Sequence, residues 1–234
     1  MLKKINKEQM GKADHGWLKS RFHFSFADYF NANRMNFGVL RVLNDDIIKP
    51  NTGFDTHPHS NMEIISYIVK GEISHKDSME NQESLKRGEV QYLSAGDGIF
   101  HSEYNLHKSE ELRLLQIWII PPKKGLEKLY GSYRFKEEER KNRLLKIVSS
   151  IKDNAKVKIY QDINIYVAEF DKNMKTSFNI EKNRQIYFVQ IEGSSRINNI
   201  ELNFAEALEI VDEEVLEIEA LEKSHFLFIE MKKS

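Results

Sequence analysis

The chain has 234 residues, 40% of them hydrophobic and 30% charged, with a formal net charge of −1 and no cysteine. This is an ordinary globular composition, long enough for one large or two small domains. It excludes disulfides, thiolate metal sites and cysteine nucleophiles, and it offers nucleic acid or an anionic membrane no bulk electrostatic attraction.

The N-terminal stretch MLKKINKEQMGKADHGWLKSRF has no apolar core of the signal-peptide kind. The longest strongly apolar stretch, Leu112 to Ile120, is broken by Arg113 and Gln116 and is too short to span a bilayer. The expected location is therefore the cytoplasm. In FHFSFADYF, Phe22, Phe24 and Phe26 share one parity, which predicts a strand with one buried face. Packing under a barrel is favoured for these rings over an aromatic substrate box.

After the turn at Lys49-Pro50-Asn51 comes GFDTHPH, with His57 and His59 two residues apart. Residues i and i+2 of a strand point to the same face. The stretch AGDGIFHSEYN repeats the device with His101 and Glu103. Two neighbouring strands, each turning such a pair inward, gather four N/O donors around one point. That donor set suits a divalent transition metal better than calcium or magnesium, which prefer oxygen alone. Between the two stretches, the apolar run Ile64 to Val69 ends at Gly71, and His75 and Asp77 sit two apart. This last pair reads as a polar strand end or a hydrogen-bond network rather than as further ligands.

LRLLQIWII, Leu112 to Ile120, predicts a buried strand stopped by Pro121-Pro122. The charged stretch Gly125 to Lys146 is rich in helix formers and reads as a solvated helical connector. The domain boundary is placed within it, giving 1–140 and 141–234. Strands resume at VKIYQ, INIYVAEF and RQIYFVQIEG, and Ile186 to Gly193 loosely echoes Ile64 to Gly71, which suggests a duplicated β unit. His225 is the only histidine of the second half and reads as structural. Ala205 to Lys223 places Leu208, Val211, Val215, Ile218 and Leu221 at helical spacing, so periodicity predicts a helix there.

FHFSFADYF, MNFGVLRVLNDD, TGFDTHPHSNMEII, SHKDS, VQYLSAGDGIFHSEYN and LRLLQIWIIPP follow one another as in the pirin family of the cupin superfamily, which the chain resembles from about Gly16 onward. The resemblance implies an all-β bicupin, two stacked β-barrels of the double-stranded β-helix kind joined by a short helical connector. Metal is expected in the first barrel only. It also implies that Glu201 to Met231 is β, against the periodicity, and the β reading is adopted. The family's ligands fall on His57, His59, His101 and Glu103. A general cupin would use a glutamate after the HxH, here Glu63; the pirin pattern favours Glu103 and leaves Glu63 to hold an imidazole in place.

Some pirins resemble flavonol dioxygenases that open quercetin between C2 and C3 and release carbon monoxide. The resemblance thus implies a metal-dependent quercetin 2,3-dioxygenase with iron(II) first among the possible metals, and nickel, manganese, copper, cobalt or zinc as others. Glu103 would be the catalytic base. The expected partner is a small flavonol-like substrate, with no nucleic acid or membrane partner, and the expected state is a monomer. The alternative is an iron-dependent redox sensor that catalyses nothing and acts through a protein partner.

Overall fold

The computed structural model describes residues 1–233. Antiparallel strands make up nearly all of its regular structure, and the only α-helix among the described residues is the single turn Glu137–Arg140. The all-β bicupin expectation holds. No helix among these residues is long and apolar enough to cross a membrane.

The chain divides into two compact units. The first contains Gly11–Phe135 with Ile159–Gln161. Its larger sheet has seven strands, in the order Leu129–Arg134, Glu89–Ser94, Glu63–Lys70, Leu112–Ile119, Leu40–Ile48, Leu18–Phe22 and Gly11–Asp14. Its smaller sheet orders Thr52–His59, Ile99–Asn105, Glu72–Asp77 and Gln82–Lys86.

Inward positions along these strands are aliphatic at both ends and polar in the middle. Ile68, Leu114, Ile73 and Leu85 cluster at one end, and Ile64, Leu93 and Ile99 at the other. Between them, at the same parity, stand Ser66, Gln91, Gln116 and Glu103, all buried. Closely packed aliphatic layers fix the fold, and the polar belt between them holds the site.

The second unit contains residues 1–10, 136–158 and those from 162 onward. It differs from a cut at 140 in three places, one being that residues 136–140 fall in this unit. Leu2–Ile5 pairs with Ala207–Val211, with Leu2 opposite Ile210, so the first ten residues belong to the second unit. Residues 159–161 belong to the first. Its centre is filled by aromatic rings. Phe188 stacks on Phe226 at 5.0 Å and Phe228 on Tyr166 at 4.9 Å between ring centroids. Where the first unit carries a polar belt, this one carries a phenylalanine layer. His225 is buried, with Nδ1 3.3 Å from a Glu192 carboxylate oxygen.

One adopted reading holds against the periodicity, and two sequence expectations are corrected. Ala205 to Lys223 forms two strands, Ala207–Val211 and Val215–Ala220. Asp212 between them has φ of +58°, which no helix accommodates, and Leu216, Ile218 and Ala220 are buried by alternation. Tertiary burial overrides helical spacing here, as the β reading required. Most of Gly125 to Lys146 is not helix, because Leu129–Arg134 pairs with Glu89–Ser94. The aromatic strand ends at Phe22, after which the chain runs irregularly to Leu40.

Candidate metal centre

Strand Ile99–Asn105 lies between Thr52–His59 and Glu72–Asp77, and this order assembles the site. His101 is opposite His57 on one side and Asp77 on the other, while Glu103 is opposite His75. The register slips between His101 and Glu103, so that Glu103 faces Phe54. An extra residue in the Thr52–His59 strand reverses its parity, and Phe54 lines the same cavity as His57 and His59. The strands approach closely because position 53 is glycine. A Cβ there would run into the Glu103 carbonyl oxygen and the Tyr104 Cα.

The ring centroids of His57 and His59 lie 4.8 Å apart, those of His57 and His101 4.5 Å, and those of His59 and His101 4.8 Å. Their nitrogens form one group within 4.8 Å of one another. His57 Nδ1 is 2.8 Å from the Asp55 carbonyl oxygen. That contact makes Nδ1 the protonated nitrogen and leaves Nε2 as the donor atom. Burial first, and the neighbouring imidazoles second, lower the pKa of His59 to about 4 and that of His101 to about 3. Both rings are therefore neutral at neutral pH, the form that coordinates metal.

His101 is buried and neither ring nitrogen has a hydrogen-bond partner. Buried polar atoms are nearly always paired, so an unpartnered imidazole beside two others fits the role of a metal ligand. The residues present fit the ion that the family resemblance implies.

Glu103 stands in a second group with His101 and His75, again within 4.8 Å. Its carboxylate is held by three side chains. Ser66 Oγ donates to Oε1 at 3.1 Å, Gln91 Nε2 to Oε1 at 3.3 Å, and Gln116 Nε2 to Oε2 at 2.9 Å. Gln91 Nε2 is also 3.1 Å from His75 Nδ1, and His75 Nε2 is 3.4 Å from Asp77 Oδ2. With Gln91 donating, His75 gives its Nε2 proton to Asp77. Both nitrogens of His75 are thus engaged, and the 75/77 pair is a hydrogen-bond network, as the sequence suggested.

Glu63 plays another part than the one expected. It is fully buried and its carboxylate accepts the backbone N–H groups of Tyr160, at 2.6 Å, and Gln161, at 3.0 Å. It tethers that segment and holds no imidazole. Burial raises its pKa to about 7, against the lowering effect of those two bonds. Its carboxyl ionises near the ordinary 4.5 in the unfolded chain and near 7 in the folded one, so the unfolded chain loses its proton first. The contribution of this group to stability is greatest below pH 4.5 and falls as pH rises to about 7, by up to about 3 kcal/mol. Urea unfolding of metal-free protein at pH 5 and pH 7.5 should show a smaller fall in Glu63→Gln than in the wild type.

A cavity of about 460 Å3 opens beside the histidines. Trp17, Phe22, Phe26, Phe54 and Trp118 make most of its wall apolar, and His57, His59 and Glu103 reach it. Phe24 is core, as expected, whereas Phe22 and Phe26 line the cavity. The supporting groups Ser66, Gln91 and Gln116 were not singled out from the sequence. Their signal is a polar residue at an inward position of an otherwise apolar run, as in EIISYIVK and LRLLQIWI.

Residues 4–119 match the family described as Pirin, and residues 146–231 match the quercetinase C-terminal cupin domain. The chain is 41% identical over 224 residues to a pirin-like protein of Caulobacter vibrioides, covering 95% of this chain and 96% of that one. It is 38% identical over 230 residues to quercetin 2,3-dioxygenase of Escherichia coli K12, covering 98% and 97%. The crystal structure of YhhW from Escherichia coli matches it with a TM-score of 0.95 at 36% identity, over 100% of this chain and 99% of that one. The crystal structure of bacterial pirin YhhW in complex with nickel(II) matches with a TM-score of 0.94 at 35% identity, over the whole of both chains.

Proposed function

The chain belongs to the pirin family, and from that membership we propose that it is a metal-dependent dioxygenase acting on a flavonol such as quercetin. The observation that carries the proposal is the buried, unpartnered His101 clustered with His57 and His59, which line an aromatic cavity. His57, His59, His101 and Glu103 would hold one divalent ion, iron(II) by preference, with nickel, manganese, copper, cobalt or zinc as other occupants. Once bound, the ion supplies a Lewis acid and a redox centre for oxygen chemistry.

The protein's own groups do the rest. The aromatic wall packs on a planar ring system and excludes water from it. The Glu103 carboxylate takes the proton of the flavonol 3-hydroxyl. Gln91 Nε2 donates to its Oε1 and Gln116 Nε2 to its Oε2, while the single Ser66 proton is shared between Oε1 and the Gln116 amide oxygen. Gln116 and Ser66, joined to each other by a 2.9 Å hydrogen bond, keep the carboxylate in place. In the overall change the C2–C3 and C3–C4 bonds break, one atom of the dioxygen becomes the ester carbonyl oxygen at C2, the other completes a carboxylic acid at C4, and C3 leaves with its own oxygen as carbon monoxide.

Iron-loaded protein should bleach the long-wavelength band of quercetin while consuming oxygen and releasing carbon monoxide in equal amounts, and chelator should stop all three. Oxygen uptake without carbon monoxide would indicate mere metal-catalysed autoxidation. No uptake with any of the six metals would overturn the dioxygenase reading in favour of a redox sensor acting through a protein partner.

A further inference from the structure

Strand Leu40–Ile48 contributes Asn44 and Asp46 to the cavity lining, at the inward parity. Both are 3% exposed, and the Oδ1 atom of each has no hydrogen-bond partner. Two unpaired acceptors on one strand are costly in a wall that is otherwise largely aromatic, because a buried acceptor without a donor loses its hydration and gains nothing. Asn44 pairs in register with Gln116, whose amide ties Glu103, and Asp46 pairs with Ser20, which also lines the cavity. The unsatisfied acceptors are therefore contiguous with the metal ligands. Trp118 Nε1, on the next strand, is likewise buried and unpartnered.

Resting on the flavonol reading, we propose that Asn44 and Asp46 are specificity-determining residues that accept hydrogen bonds from ring hydroxyls other than the one beside Glu103. The substrate class is then a planar aromatic with several hydroxyl groups, and a singly hydroxylated analogue is rejected because it leaves these acceptors unpaired. Burial raises the pKa of Asp46 to about 7, with Asp45 and Glu103 adding to it and a Ser20 hydrogen bond opposing. A hydroxyl donor supplied by the substrate relieves the same strain that keeps this carboxyl reluctant to ionise. Sites built to bond a substrate hydroxyl discriminate strongly against the analogue that lacks it.

Both tryptophans of the chain, Trp17 and Trp118, line the cavity, so quenching of intrinsic fluorescence reports binding directly. The probes are galangin, a flavonol with two further ring hydroxyls, and 3-hydroxyflavone, which has only the metal-side hydroxyl, each titrated into zinc-loaded protein. The wild type should bind galangin at least ~10-fold more tightly than 3-hydroxyflavone. In Asn44→Leu and Asp46→Leu that ratio should fall below about threefold, because galangin loses an acceptor and 3-hydroxyflavone no longer strands one. Asp46→Asn preserves shape and fold if the leucine variants do not, and it should give an intermediate ratio. An unchanged ratio in all three variants would overturn the proposal and leave the flavonol reading standing. Discrimination as expected without turnover of quercetin would sustain the wall and sink the dioxygenase. Failure of both flavonols to bind the wild type would sink both.

Discussion

His101→Ala is expected to yield a folded protein that has lost tight metal binding. His101 lies at the centre of the site, shared by both donor groups, and it is the most deeply buried of the three clustered imidazoles. Its removal leaves His57 and His59 without the third nitrogen donor and takes away the residue that connects them to Glu103. The loss of affinity should exceed the ~10–100-fold typical of removing a group that only supports a ligand. The fold should survive because the aliphatic clusters on either side of the polar belt, not the ion, close this unit. The substitution also deletes two unsatisfied buried nitrogens, which offsets part of the cost of the cavity. Metal content after loading and dialysis, with thermal unfolding in the presence and absence of metal, measures both effects. The wild type should be stabilised by added metal and the variant should not. A variant that retains a full equivalent of metal would remove His101 from the ligand set.

Glu103→Gln should slow quercetin cleavage by ~10²-fold or more, the usual consequence of losing a general base, and should weaken metal binding. The shape of the side chain is preserved. However, an amide oxygen can accept from only some of Ser66, Gln91 and Gln116, and the amide N–H2 would face donors. Glu63→Gln should leave metal content and turnover close to the wild type, since its effect falls on the backbone of Tyr160 and Gln161. Parallel measurements of metal content and of oxygen uptake on the two variants decide between them. If Glu63→Gln empties the site and Glu103→Gln leaves it filled, the ligand is the glutamate after the HxH, and the pirin pattern does not describe this chain.

Much of the site was legible because strands impose a period of two. His57 with His59, and His101 with Glu103, announce two inward-facing pairs whatever the rest of the chain does. The 75/77 pair announced a hydrogen-bond network for the same reason. Strand parity breaks down at a bulge. Phe54 faces the cavity only because the register slips opposite Glu103, and no local pattern in GFDTHPH encodes the slip. Glu63 has the parity of an inward ligand, yet its carboxylate is taken up by two N–H groups nearly a hundred residues away. A short-range reading has no access to that pairing.

By itself, the sequence determined the all-β character of most of the chain, the absence of thiol chemistry and the identity of the clustered histidines, because each depends on composition or on neighbours a few residues apart. Tertiary structure decided against periodicity that 205–223 forms strands, as the family resemblance implied, since burial of Leu216, Ile218 and Ala220 outweighs a helical period carried by good helix formers. It alone decided that residues 1–10 complete the second unit, through pairing across some two hundred residues. It also decided which polar side chains surround Glu103 and which line the cavity. Those depend on sheet order, on which strand lies beside which, and that is set by the closure of the whole fold rather than by any segment of it.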